Sequence, residues 1–200
     1  MAFPIFSQSG SPYEFTKSSE YKNTSGRSEL ADMFCDEAGN ICLIKREMKA
    51  TSNVVTGIKY NTYFEKYNQQ LKQIYSGSIE MSEVGGKELE YVGVYTVGRK
   101  PYLFTTQYAK GKDSYDLYRQ TIGEKGKLGK AEKIASVFTK QTEAWFNVVS
   151  SPDSMYMAII GNPGMKQKAD AEISYVIYNN KFEKVREDKI VFPFAKKDMF

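Results

Sequence analysis

Asp32-Met33-Phe34 recurs as Asp198-Met199-Phe200, 166 positions later. That separation is three periods of roughly 55 residues. Two further landmarks fall where the period puts them, Glu90-Tyr91-Val92 and Ala144-Trp145-Phe146, giving steps of 58, 54 and 54. An aromatic-x-x-Tyr element recurs late in each unit: Phe64-Glu65-Lys66-Tyr67, Tyr115-Asp116-Leu117-Tyr118 and Tyr175-Val176-Ile177-Tyr178. The chain therefore reads as units of about 30–87, 88–141 and 142–197, with the start of a fourth at 198–200, preceded by a polar segment at 1–29.

Within each unit the apolar residues alternate with polar ones and are bounded by turn formers, the pattern of short strands. The predicted strands are 30–35, 41–46, 58–67 and 71–79 in the first unit, 91–97, 102–108, 114–120 and 131–137 in the second, and 145–149, 155–160, 173–178 and 182–190 in the third. Long helices find almost no support, and 131–138 is the one ambiguous window. Four short antiparallel strands, repeated three times, predict an all-β chain of β-propeller type. A β-sandwich or a single up-and-down barrel is the alternative. Three units do not close a ring of about four to eight blades, so a second copy or a longer parent chain is expected to complete it.

Two turn sequences carry a family resemblance. Ser151-Pro152-Asp153-Ser154-Met155-Tyr156-Met157-Ala158 resembles the S-P-D-G-x-x-h-A element at the first hairpin of WD40-like and TolB-type propeller repeats. Asp36-Glu37-Ala38-Gly39-Asn40-Ile41 resembles the D-x-x-G-N-h version of other bacterial propeller families. Ser154 stands where glycine is usual, the second unit has only Val97-Gly98-Arg99 at that turn, and no Trp-Asp dipeptide occurs. The resemblance implies a fold and carries no activity with it. An aspartate at such a turn accepts backbone N–H bonds, and Gly or Asn takes the positive φ that closes the hairpin.

Composition narrows the chemistry. With no histidine among 200 residues, Ser-His-Asp and Cys-His arrangements and imidazole-built zinc sites are excluded. Two cysteines alone are insufficient for a structural zinc site, and no cofactor is expected. The net charge of +4 is spread along the chain. Its densest cationic stretch, Lys125, Lys127, Lys130 and Lys133, is broken by glycines and glutamates and reads as a solvated loop, so nucleic-acid binding is not expected. No apolar run reaches the length of a membrane helix. Residues 1–11, MAFPIFSQSGS, resemble the end of a signal-peptide apolar region and its cleavage zone, or else are a disordered terminus.

The candidate sites follow from the strand pattern. Centring the first hairpin between Ala38 and Gly39 sets Cys35 opposite Cys42, where a disulfide would imply an oxidising compartment; two reduced thiols are the alternative. Asp36, Asp113, Asp153 and Asp188 recur near strand ends. Propeller hydrolases pair such carboxylates across blades, but turn formation is the commoner reason for them. Trp145 stands where Phe34 has its counterpart and is read as core first and binding residue second. Tyr108 and Tyr156, with Trp145, form the candidate binding surface. The expected function is a non-catalytic binding or scaffolding module of a bacterial envelope or secreted protein, recognising a protein or glycan through loops on one face. A carbohydrate-active hydrolase is the alternative, and a lipocalin-like carrier would require a closed barrel.

Overall fold

The computed structural model describes residues 28–49, 59–139, 144–153, 155–164 and 171–192. Sheet 1 comprises β1 (Glu29–Cys35), β2 (Ile41–Met48), β3 (Tyr60–Tyr67) and β4 (Gln73–Ile79). A hairpin of β5 (Glu83–Val84) and β6 (Lys87–Glu88) lies in the link to the next sheet. Sheet 2 comprises β7 (Glu90–Val97), β8 (Lys100–Ala109), β9 (Ser114–Thr121) and β10 (Glu132–Phe138). Sheet 3 comprises β11 (Trp145–Ser150), β12 (Tyr156–Asn162), β13 (Ala171–Asn179) and β14 (Lys184–Phe192). Each sheet is an antiparallel meander in chain order. The ambiguous window is strand β10. Among the described residues the sheets are discrete and no barrel closes, which goes against the up-and-down barrel and the closed barrel a lipocalin-like carrier requires. Most of the polar N-terminal segment, and residues 198–200, lie outside the described residues.

A five-residue turn is used repeatedly. In residues 36–40, 68–72 and 179–183 the first residue's N–H bonds the fifth residue's carbonyl, and the fourth residue's N–H bonds the first residue's carbonyl. The first side chain, Asp36, Asn68 or Asn179, accepts the N–H groups of the third and fifth residues through one Oδ1. These local bonds satisfy backbone groups that the ladder cannot reach. Residues 123–127 repeat the backbone bonds with glycine first. The fourth position is left-handed in every case: Gly39 at φ 79°, Leu71 at 58°, Gly126 at 73° and Phe182 at 63°. The turns beginning at Asn68, Gly123 and Asn179 join the third and fourth strands of the three sheets, so they place the units in register. They also correct the aromatic-x-x-Tyr alignment. The residues four and one before the turn are Phe64 and Tyr67, then Arg119 and Ile122, then Tyr175 and Tyr178; Tyr115 and Tyr118 lie four residues further back along β9.

Alternation gives each sheet two faces. The forward face of sheet 1 buries Cys42, Ile44, Phe64 and Ile79 against Tyr91, Val94, Ile122 and Leu128. The forward face of sheet 2, with Phe104 and Leu117, packs on the rear face of sheet 3, with Val148, Met157, Ile159, Val176 and Tyr178. First strands lie against first strands, β1 on β7 and β7 on β11. The left-handed turn residue reaches back in both interfaces. A Cβ on Gly126 would stand 2.8 Å from Phe64 Cβ, and the Phe182 ring lies 3.7 Å from the Arg119 guanidinium and 4.6 Å from the Tyr178 ring. Tyr178 also donates to the Ile134 carbonyl across this interface at 2.9 Å.

Trp145 is not core. It pairs with Asn162 on the forward face of sheet 3 and is 47% exposed, while its neighbour Phe146 takes the buried side and stacks on Tyr115 at 5.9 Å. A one-residue difference in strand phase reverses which side chain is inside. Because Phe182 holds a costly left-handed conformation only to fill the sheet 2–sheet 3 interface, Phe182→Ala is expected to lower unfolding free energy by about 2–3 kcal/mol. Phe182→Gly, which relieves the backbone, is expected to recover part of that loss in urea titrations.

Candidate functional site

The cysteines do not meet. The five-residue turn is centred on Ala38, one half-step from the expected centre, so Cys35 pairs with Ile41 and Cys42 with Phe34. Successive side chains alternate faces, which leaves Cys35 exposed and Cys42 buried in the sheet 1 core, both as free thiols. Of the two readings, disulfide or reduced thiols, the register supports the reduced thiols. Burial, and then the Asp36 charge, push the Cys42 thiol up to about 11.

The four aspartates of interest are engaged locally. Burial opposes ionisation of Asp36, but hydrogen bonds from Lys66 at 2.7 Å and from Asn40 prevail and hold its carboxyl at about 2. Asp153 accepts from the Ser151 hydroxyl and the Met155 N–H, and these bonds hold it below the usual carboxylate range. Asp188 is held low by the Lys189 N–H and then by Arg186. Asp113 is a turn residue at φ 47° whose carbonyl accepts the Thr139 N–H. The structure brings no two of these four together as a paired site.

Of the candidate binding residues, Tyr108 and Trp145 lie at the same end of sheets 2 and 3. Tyr108 pairs with Tyr115, which stacks on the neighbour of Trp145. Tyr156 starts β12 at the opposite, turn-rich end. They do not form one surface.

A different constellation does converge, in a cleft of about 670 Å³ between sheets 1 and 2. Arg46 near the end of β2 lies over the Tyr60 ring at 3.9 Å and over the Tyr91 ring at 4.8 Å. Tyr91 opens the contact between sheets: its hydroxyl donates to Asp32 on β1, and the same carboxylate accepts the Val94 N–H at 3.1 Å. Burial, then the bond to Asp32, push the Tyr91 phenol well above its ordinary value, so it stays a donor. Tyr91 is thus locked by an inter-sheet bond and presents a fixed face to the guanidinium. Thr62 and Leu89 form buried walls, and Lys59, Lys87, Glu83, Glu88 and Glu90 line the opening.

Arg46 differs from other cations of these sheets. Lys45 has Glu65 at 2.8 Å, Lys66 has Asp36, Lys133 has Asp116 at 3.5 Å, and Arg119 has Glu132 at 2.8 Å. Arg46 has aromatic faces instead, and its Nε is buried with no hydrogen-bond partner. The two ring contacts stabilise the charge, and Arg46, which has no carboxylate partner among the described residues, lines the cleft where an acceptor can approach it. Sequence reading missed this site because Arg46, Tyr60 and Tyr91 come from three strands in two sheets. Among the described residues, no group of three His, Cys, Asp or Glu side chains could hold a metal, and no helix is long and apolar enough to cross a membrane. No protein-family model matches this sequence, and no curated relative matches it.

Two measurements check these assignments. In the native protein one thiol, Cys35, is expected to react promptly with a thiol reagent and Cys42 only on unfolding, and Cys35→Ser should abolish the fast reaction. Since Asp36 is depressed from 3.8 to about 2, its stabilisation is present above about pH 4 and lost as pH falls through 2. Asp36→Ala is expected to remove on the order of 2 kcal/mol at pH 7 and much less at pH 2, by denaturant titration at both.

Proposed function

We propose that this chain is a non-catalytic binding module of β-propeller type that recognises a carboxylate-bearing group of a protein or glycan partner in the cleft between sheets 1 and 2. The observation that carries the reading is Arg46, fixed over two tyrosine rings with a buried donor that has no acceptor. A planar carboxylate matches the guanidinium fork in two hydrogen bonds, and Tyr60 adds a ring face for the apolar part of the ligand. The three glutamates at the opening select against polyphosphate and nucleic-acid backbones, whose repeated charges they repel. A ligand with one carboxylate among neutral polar groups meets far less of that repulsion, which Lys59 and Lys87 at the same opening partly offset.

The propeller reading is supported by three meanders stacked face to face with their first strands adjacent. The hydrolase alternative receives less support, because its candidate aspartates are held by their own turns and neighbours. The test titrates the protein with an otherwise uncharged peptide carrying one glutamate and, separately, with a neutral oligosaccharide carrying one uronic acid, following tyrosine fluorescence. One of the two is expected to bind, with at least a tenfold loss in Arg46→Gln. Silence in both titrations, or equal binding by wild type and Arg46→Gln, overturns the proposal.

A further inference from the structure

The two internal interfaces share one rule, and the forward face of sheet 3 meets every part of it except the partner. In the first interface the fourth residue of the turn, Gly126, sits on Phe64. In the second, Phe182 sits on Arg119, beside Tyr102 and Phe104. Phe64 and Arg119 occupy the same position, four residues before their own turn, and Tyr175 is that position in sheet 3. Register carries the equivalence across the sheet. Cys42 and Ile44 pair with Lys66 and Phe64, Tyr102 and Phe104 with Thr121 and Arg119, and Ala158 and Ile160 with Ile177 and Tyr175. The forward face of sheet 3 therefore repeats the receiving surface of sheets 1 and 2.

That surface is largely apolar and open, with Arg186 at its edge, 5.8 Å from the Tyr175 ring, as Arg119 lies by Tyr102 in sheet 2. Val149 is 47% and Tyr156 50% exposed, and with Pro152, Ala158, Ile177 and Val185 they line a hollow of about 590 Å³. Ala158 leaves space where sheet 2 has Tyr102. At the other end of the stack, sheet 1 carries the complementary feature on its rear side. Leu71 is the fourth residue of its turn, held at φ 58°, an unfavourable conformation for a leucine. Its counterparts Gly126 and Phe182 both contact a preceding sheet, and among the described residues no sheet precedes sheet 1. Met33, on the same rear face, is 67% exposed.

We infer that the forward face of sheet 3 docks the rear face of sheet 1 in a second copy of this chain, with Leu71 of that copy against Tyr175 as Phe182 lies against Arg119. The occupant is argued from continuity with the two internal interfaces: among the described residues the rear face without a sheet against it is that of sheet 1, and its turn residue is of the size the Ala158 hollow accepts. Made reciprocally about a two-fold axis, the contact places six sheets in one ring. That closure rests on the propeller reading proposed above; the pairing of faces rests on the internal interfaces alone.

Light-scattering mass across a concentration series from 1 to about 100 μM tests it. Wild type is expected at twice the 22.8 kDa of one chain. Leu71→Asn keeps the left-handed turn, which asparagine tolerates, and removes the apolar contact; Tyr175→Glu charges the receiving face. Each is expected to raise the dimer dissociation constant at least tenfold while Leu71→Asn melts cooperatively at or above the wild-type temperature. Arg46→Gln is expected to remain dimeric, which separates this inference from the binding site. A wild-type monomer throughout the series, assemblies beyond the dimer, or a dimer unaffected by Leu71→Asn would each overturn it.

Discussion

The contact between a left-handed turn residue and the sheet before it is the constraint on which this molecule depends. A four-stranded meander has two faces and no core of its own, so each sheet must be covered on both sides to bury its apolar residues. The turn after the third strand supplies the fixed point. Where the fourth turn residue is Gly126, the phenylalanine comes from the earlier sheet; where it is Phe182, the later sheet supplies the ring and the earlier one an arginine. One ring fills the place in both cases, contributed from opposite sides. That exchange explains why the repeat is weak in sequence while its geometry is conserved between units.

The strands were legible because alternation and turn chemistry are local. Residues 41–46 and 114–120, read from pattern, lie within β2 and β9. Phase was less legible, since it depends on where a turn is centred. Asp36-x-x-Gly39-Asn40 has the same frame as Asn68-x-x-Leu71 and Asn179-x-x-Phe182. Comparing the three would have centred the first hairpin on Ala38 and set the cysteines on opposite faces. The comparison is obscured because the left-handed position holds glycine, leucine and phenylalanine, which no propensity scale groups together. Trp145 illustrates the same limit: its place at the start of a strand was visible, but whether it or Phe146 faced inward was set by pairing with β12.

The buried acidic residues are held by partners of their own. Glu65 and Asp116 are both about 3% exposed, each accepts from the tyrosine two residues on, and each has a lysine on a neighbouring strand. Buried carboxylates of this kind are stable only with such partners, so they are committed to the fold. Asp32 is committed to Tyr91 and the β7 backbone. The lysines are consumed with them, which is why Arg46, braced by rings alone, stands out once the strands are assembled and is invisible before.

The perturbed ionisations point the same way. Asp36, Asp153 and Asp188 are lowered by hydrogen bonds, Lys66 and Lys184 are raised by theirs, and Cys42 and the tyrosines 63, 91, 95, 115, 118 and 178 are raised by burial or by neighbouring carboxylates. Every one of these shifts moves its group away from neutrality. General acid–base work needs the reverse, a group drawn toward the operating pH. For the carboxylate recognition proposed above, a permanently charged arginine with a phenol kept as a donor beside it makes the strength of binding vary little across the physiological range.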